Sequence, residues 1–561
     1  GQFTTNPGYV WSQYLADYYD SNADVAWKAT GATPTLASGN NWAVGGARNG
    51  TNSVGALGYT PSLASQYAAY LASGHAVDPN ALYTVWGGAN DLFAVQANPA
   101  QAQAILGGAV AAQVGLVGAL TQAGAQYILV PTIPDLGLTP ASRAGGAAAM
   151  AQATGLTTTY NNALFGSLAS ANLHVIPLDT FHFLQEVVAN PGLFGITNVT
   201  GTACQPQVTA QSLTCNPTSL VNVNAPNTYL FADGVHPTSA AHKAIADFAI
   251  SVIDGPRLIA VLPHSAAMVG RARAQSVEGA LRNMGAGEGD GMRWWADVRG
   301  DQQRFNDSAG FDGMGATGTF GVDWRTGNVS YGGFLGYGRQ DMDFGGSRGD
   351  FRQTDSSIGG YLGWHNDGGM WANAQLSWTK LGYRIDRQVN LGLATRIQHG
   401  STDGRNLSLG GSAGWNFGHD KLVHGPVLSV LAQQIDVDGY DEDGTDSTAL
   451  GYFDQGGDSL IGSAGWQASF AINEHLKPYA RVTLDREFKD APAQAWAQSL
   501  SMPDSLPYAV PGQSFDQTYG TLSYGVQSEL FGLQVTTGSN LTVGQKGGNN
   551  SSFFVNVSGK F

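Results

Sequence analysis

The sequence predicts two unlike halves. An α/β domain with a parallel sheet covered by helices on both faces should occupy residues 1–255, and an all-β transmembrane barrel residues 291–561. Three observations carry this. Short apolar runs alternate with helical periodicity in the first half, as in a sheet buried on both faces. Period-two alternation over about ten or more residues dominates the second half, the length a tilted strand needs to cross a bilayer. Nine of the thirteen tryptophans lie in that second half, a distribution suited to interfacial girdles.

In order along the chain, Trp11, Tyr14, Leu15 and Tyr18 recur at helical spacing. Ser62–Ser73 and Pro99–Gly124 read as helices. The most apolar helical run, Ala104–Ala123, is Ala/Gly-rich and interrupted by Gln113, so it reads as a buried helix and not as a membrane span. Ala81–Trp86 is a short apolar run that ends in Gly87-Gly88, a buried strand leading into a loop. A strand at Tyr127–Pro131, a helix at Ala147–Ala169, a strand at His174–Leu178 and a helix at Phe181–Ala189 come next. The last helix of this half is expected at Ser239–Ile253. Ligands in such sheets sit at the carboxyl ends of the strands, and Asn90 and Asp135 come just after two of those ends.

Residues 256–290 form a bridge. Ala266–Met284 is rich in helix formers and small residues and carries Arg271, Arg273 and Arg282. It is either a solvated linker helix or a helix threaded through a polar channel. From about Met292 alternation takes over. Phe553, Val555, Val557, Gly559 and Phe561 fall on one face of the terminal segment, and Met370, Ala372, Ala374, Leu376 and Trp378 on one face of another. About twelve such segments occur, separated by turn clusters such as Asn366-Asp367-Gly368-Gly369. Trp294, Trp295, Trp324, Trp364, Trp371 and Trp466 are the expected girdle, and the polar insert Asp438–Asp458 an outer loop. The competing architecture is a soluble β-sandwich; long strands, many glycines and a terminal aromatic favour the barrel.

Bulk composition excludes some functions. A net charge of −15 with no Lys/Arg block argues against nucleic-acid binding. Cys204 and Cys215 share one polar segment, which fits a short-loop disulfide in an oxidising compartment or two free thiols. No zinc-type pattern occurs, and no cofactor or metal is expected. Gly1 is not an initiator Met and no signal-peptide pattern is present, so a mature or truncated chain is expected.

Three segments carry chemistry. Asp233 precedes His236 by three residues within Phe231-Ala232-Asp233-Gly234-Val235-His236-Pro237. That spacing suits a base and the carboxylate that orients it, with Gly234 allowing a sharp turn. Gly46 has no side chain, so its N–H can approach a developing oxyanion closely; Asn90 offers a neutral side-chain donor to the same atom. Asp91 is expected to cap the adjoining helix.

In order, Asn40-Asn41-Trp42-Ala43-Val44-Gly45-Gly46-Ala47, Gly88-Ala89-Asn90-Asp91 and Asp233-Gly234-Val235-His236-Pro237 resemble the blocks of the GDSL/SGNH hydrolases. With the terminal barrel, the chain resembles the esterase autotransporters of Gram-negative bacteria. The resemblance implies a flavodoxin-like sheet, a 12-stranded autotransporter barrel, and ester hydrolysis through an acyl-serine at the cell surface. It assigns Gly46 and Asn90 to the oxyanion hole, with Gly45 the alternative to Gly46, His236 as general base and Asp233 as its orienter. Ester or lipid substrates, outer-membrane lipids and the barrel-assembly machinery are the implied partners of a monomer. The family's Gly-Asp-Ser-Leu block, which bears the nucleophile, is not found, while Gly1-Gln2-Phe3 resembles the residues immediately after that block. The nucleophilic Ser is therefore expected just ahead of Gly1; Ser12, Ser38 and Ser53 lack the right context. Two rival readings are a non-catalytic surface binding module and a porin with a soluble appendage.

Overall fold

The computed structural model describes residues 2–28, 35–55, 58–282, 290–306, 309–418 and 421–561. In the first half, helix α1 (Trp11–Tyr18) is followed by α2 (Leu63–Ala72), β1 (Leu82–Thr84), α3 (Ala89–Ala97) and α4 (Ala102–Gln122). Then come β2 (Tyr127–Pro131), α5 (Gly146–Ser170), β3 (Ile176–Leu178), α6 (Thr180–Ala189), β4 (Asn198–Thr202) and β5 (Tyr229–Phe231). The chain leaves this half through α7 (Ser239–Ile259) and α8 (Leu262–Arg282).

Strands β1, β2 and β3 form a parallel sheet in that order, and β4 pairs parallel with β5. The alternation within β2 places helices on both faces. Tyr127 and Leu129 join α1, α6 and α7 in one core, while Ile128 and Val130 join α3, α4 and α5 in the other. Helix α4 corrects one expectation. Only the face of Val110, Gln113, Leu116, Val117 and Leu120 is buried, and Ala104, Gly107, Gly108, Ala111 and Gly115 are exposed. The high hydropathy of this run comes from alanines that need no burial.

Helix α7 runs six residues beyond the expected end, through Asp254-Gly255-Pro256. Packing overrides the breaker pair: a Cβ on Gly255 would lie 2.8 Å from Leu450, so glycine lets the helix press against the second half. Helix α8 begins after two intervening residues. Its partners ring it. Arg271 pairs with Asp485 (2.8 Å), Arg273 with Asp355, and Glu278 with Arg481 (2.7 Å). Ser276 donates to Asp297, and Gln375 and Gln433 donate to the carbonyls of Ala274 and Ala267. Residues 283–289, including Met284, lie outside the described residues.

Twelve strands enclose this helix: Gly291–Phe305, Phe311–Thr326, Val329–Phe344, Gly349–His365, Met370–Leu391, Ala394–Trp415, Leu422–Val437, Ser459–Phe470, Leu476–Glu487, Thr518–Leu530, Leu533–Val543 and Ser551–Lys560. Each pairs antiparallel with the next, and the first closes on the last. Outward positions are apolar and exposed, as at Met314, Leu335, Ile358, Leu376 and Leu409. Inward ones are buried and polar, as at Arg293, Asp297, Arg299, Asp301 and Gln303 along the first strand. Closure removes the sheet edges, which a bilayer would not tolerate.

The tryptophan girdle needs correction at two positions. Trp324, Trp364 and Trp466 face outward, but Trp295 is fully buried and donates Nε1–H to Tyr361 Oη at 2.6 Å inside the barrel. Trp371 has the same inward parity, one residue out of step with exposed Met370, Leu376 and Trp378. The insert Asp438–Asp458 is also more than a loop. Tyr440–Asp441 and Leu450–Tyr452 join Gln494–Ser499 and Tyr508–Pro511 in a four-stranded sheet. That sheet reaches the first half: Tyr508 Oη donates to Val252 O at 2.8 Å.

Candidate active site

The loop after β5 is shaped by backbone hydrogen bonds. Ala232 N–H donates to His236 O at 2.7 Å, and Thr238 Oγ1 accepts from Ala241 N–H to start α7. Gly234 makes its turn without a left-handed conformation, so a positive φ is not what calls for glycine here. Space is the reason: a Cβ there would sit 2.7 Å from Val208 O.

Asp233 is buried and collects donors. Its Oδ1 accepts from the N–H groups of Val235 (3.0 Å) and His236 (2.8 Å), and its Oδ2 from Ser212 N–H (2.9 Å). Both oxygens lie 2.9 Å from His236 Nδ1. Burial works to raise the carboxyl's pKa, but the hydrogen bond and charge of His236, with the donors Ser212 and Val235, outweigh it and hold the group well below its ordinary value. An ionised carboxylate only accepts, so Nδ1 carries the proton and Nε2 is the basic nitrogen. The Ser212 hydroxyl lies 3.4 Å from Nδ1, on the carboxylate side of the ring, and is not placed to be a nucleophile. The donor Ser212 N–H left no mark in the sequence beyond its place in the loop between Cys204 and Cys215, which are bonded to each other.

His236 lines a cavity of about 1260 Å³ together with Phe3, Gly45, Gly46, Asn90, Trp86 and Phe183. Gly46 has φ +81° and occupies the third position of a turn closed by Ala47 N–H to Val44 O (3.2 Å). That is the type II position that favours glycine. Gly45 has a different reason to be small, because the ring of Phe3 packs where its Cβ would be. Asn90 is in the first turn of α3 and donates Nδ2–H to Ala47 O at 3.0 Å, which leaves the second amide proton for another acceptor.

Asp91 does not cap the helix. Gly88 holds the N-cap position at φ +104°, while Asp91 reaches back to accept from Arg48 Nε (2.8 Å) and Asn49 N–H (2.9 Å). The turn bearing Gly46 is thereby tied to the helix bearing Asn90. Asn49 extends the tie, since its Nδ2 donates to Gln113 Oε1 (3.0 Å) and Tyr160 Oη (2.6 Å), all buried. Buried networks of this kind fix a geometry. Only Gln113 hinted at it, as the polar break in an apolar helix.

The structure thus gathers Gly45, Gly46, Asn90 and His236 on one cavity with Asp233 behind the imidazole. A family model described as GDSL-like Lipase/Acylhydrolase matches residues 3–249, and one described as Autotransporter beta-domain matches residues 294–538. Esterase EstA of Pseudomonas aeruginosa is 31% identical over 538 residues, covering 88% of this chain and 79% of that protein. The chain belongs to the GDSL lipase/acylhydrolase family, joined to an autotransporter β-domain. Lipase 1 of Photorhabdus luminescens is 26% identical over 520 residues, covering 81% of this chain and 78% of that one. Among solved structures, the translocator domain of autotransporter NalP from Neisseria meningitidis covers 53% of this chain and 96% of its own at 20% identity, with a TM-score of 0.43. As a GDSL autotransporter this protein is an ester-hydrolysing serine hydrolase, anchored in the outer membrane by its barrel with the hydrolase half at the cell surface. The binding-module and porin readings fall with that membership.

Proposed function

We propose that His236 is the general base of an acyl-serine cycle, oriented by Asp233, and that Gly46 N–H and Asn90 Nδ2–H hold the oxyanion. The observation that carries this is the shared cavity, onto which a carboxylate-paired imidazole, a left-handed glycine turn and an amide all open. We assign the nucleophile to a Gly-Asp-Ser-Leu segment encoded ahead of Gly1. Phe3 supports this, since its ring lies 4.6 Å from that of His236 and brings the beginning of the chain to the base.

In this cycle Nε2 of His236 takes the serine proton as the hydroxyl attacks the ester carbonyl. The carbonyl oxygen becomes an oxyanion held by Gly46, Asn90 and the serine's own N–H. The imidazolium then protonates the departing alcohol, and water repeats the sequence on the acyl-serine. A largely apolar wall that includes Trp86, Phe93, Phe183 and Leu184 suits an acyl chain.

In the same reading residues 1–255 are the surface passenger, 256–290 the tether through the barrel and 291–561 the anchor. The barrel-assembly machinery inserts it, and the closed strand ring, with no edge left to pair, favours a monomer. Adding a Gly-Asp-Ser-Leu segment upstream of Gly1 should give p-nitrophenyl ester hydrolysis that His236→Ala abolishes. Undiminished hydrolysis in His236→Ala would remove that residue from the cycle.

A further inference from the structure

A second histidine stands at the wall of the same cavity. His242, in the second turn of α7, is buried and has both ring nitrogens engaged. Nδ1 lies 3.2 Å from the Trp11 backbone nitrogen, and Nε2 lies 3.2 Å from the Phe3 carbonyl oxygen. A backbone N–H only donates and a carbonyl only accepts, so Nδ1 is bare and Nε2 carries the proton. The ring is neutral in a single tautomer, and neither nitrogen remains for proton transfer.

What the ring holds is the segment that touches the site. Phe3 packs its side chain on the His236 imidazole and over Gly45. The residues after Phe3 are fixed by the same end of α7: Thr5 Oγ1 accepts from Ser239 N–H (3.2 Å), and Tyr9 O from Ser239 Oγ (3.0 Å). Asn6 Nδ2 donates to Ser212 O at 2.8 Å, and Ser212 N–H donates to Asp233. The segment from Phe3 to Trp11 is therefore a strap between α7 and the base–carboxylate pair, and His242 holds both of its ends.

We propose that His242 is a positioning residue. By donating to Phe3 O it presses the Phe3 ring against His236 and the Gly45–Gly46 turn, fixing the plane of the base and the oxyanion donor together. This rests on the assignment of His236 as base made above. The two amide substitutions separate its bonds: glutamine reaches Phe3 O with its NH₂, whereas asparagine keeps an acceptor near Trp11 N–H and falls short of Phe3.

The test uses the full chain carrying its upstream serine segment, with turnover expressed per active site titrated by a fluorophosphonate. His242→Asn and Phe3→Ala should each lower kcat about 10²-fold with KM little changed, the penalty for a misplaced catalytic group. His242→Gln should stay within about fivefold of the parent. The double variant Phe3→Ala/His242→Asn should lose no more than either alone, as expected for residues acting through one contact. Equal losses in the Gln and Asn variants, or a loss confined to the number of titratable sites, would overturn the positioning role. Hydrolysis that survives His236→Ala would instead overturn the assignment of the base, so the two failures are told apart.

Discussion

Asp91→Asn perturbs a buried carboxylate that ties the segment after the Gly46 turn to the Asn90 helix, beside the Asn90–Ala47 bond. In the wild type one carboxylate oxygen accepts from Arg48 Nε at 2.8 Å and the other from Asn49 N–H at 2.9 Å, with the residue 1% exposed. The amide keeps one acceptor and turns an NH₂ group towards the other donor. Losing a charge-assisted bond costs about 1.5–3 kcal/mol, and stranding a buried donor costs about 1–3 kcal/mol. The Arg48 side chain is 22% exposed and can rehydrate, which puts the expected loss at the lower end, about 3 kcal/mol. Against a domain stability of about 5–15 kcal/mol the variant stays folded. Its oxyanion donors lose their mutual registration, and a displacement near 1 Å lowers turnover about 10²-fold. The acyl wall is untouched, so KM should hold. The assay is p-nitrophenyl butyrate hydrolysis per titrated site by the full chain with its serine segment, beside urea unfolding of the passenger. A lowered urea midpoint with unchanged kcat would refute the reasoning, because Asp91 would then hold the fold without holding the site.

Asn90→Ala should lower kcat about 10²–10³-fold with KM little altered, read by the same assay. Arg387→Met should destabilise the junction of the two halves by about 3–5 kcal/mol, because Glu442 is buried and accepts both from Arg387 Nε (2.6 Å) and from Arg387 Nη2 (2.7 Å); limited proteolysis of the insert would report it. Reducing the Cys204–Cys215 bond, whose partners are 11 residues apart, should cost the passenger about 2–3 kcal/mol and loosen Ser212 from Asp233, seen as a lower urea midpoint after reduction. Acid should weaken the passenger in two stages. Burial lowers the His242 pKa to about 4, so between about pH 6.5 and 4 the unfolded chain binds the extra proton and stability falls as pH falls. The depressed Asp233 carboxyl contributes stability that is full above about pH 4 and is lost on further acidification. Urea midpoints measured from pH 7 to 4 check the first stage, and His242→Gln should flatten it.

The barrel is legible because lipid imposes one rule on every outward residue, and that rule survives in the sequence as alternation. The inward rule is looser. Polar and aromatic groups both fit if they find partners, so residue type alone predicts a girdle role for Trp295 and Trp371 that their parity contradicts. The Asp233–His236 pair is legible because three residues of loop hold both partners. Asp91, Ser212 and His242 are not, since their partners are 43, 21 and 239 residues away in sequence and nothing local announces them. The sheet over Gln494–Ser499 and Tyr508–Pro511 escapes a sequence reading for the same reason. Its strands are two to six residues long and packed by distant parts of the chain.

Only Ala260 and Val261 separate α7 from α8, and one continuous apolar core takes in Phe183 and Phe248 with Phe311, Tyr383 and Tyr508. A swivel needs slack, and this joint has none. The hydrolase is mounted on the cell like a fixed lamp, its opening keeping one bearing to the bilayer. Substrates must come to that bearing, and a cut in the tether alone would leave the enzyme still gripped by the barrel's outer sheet.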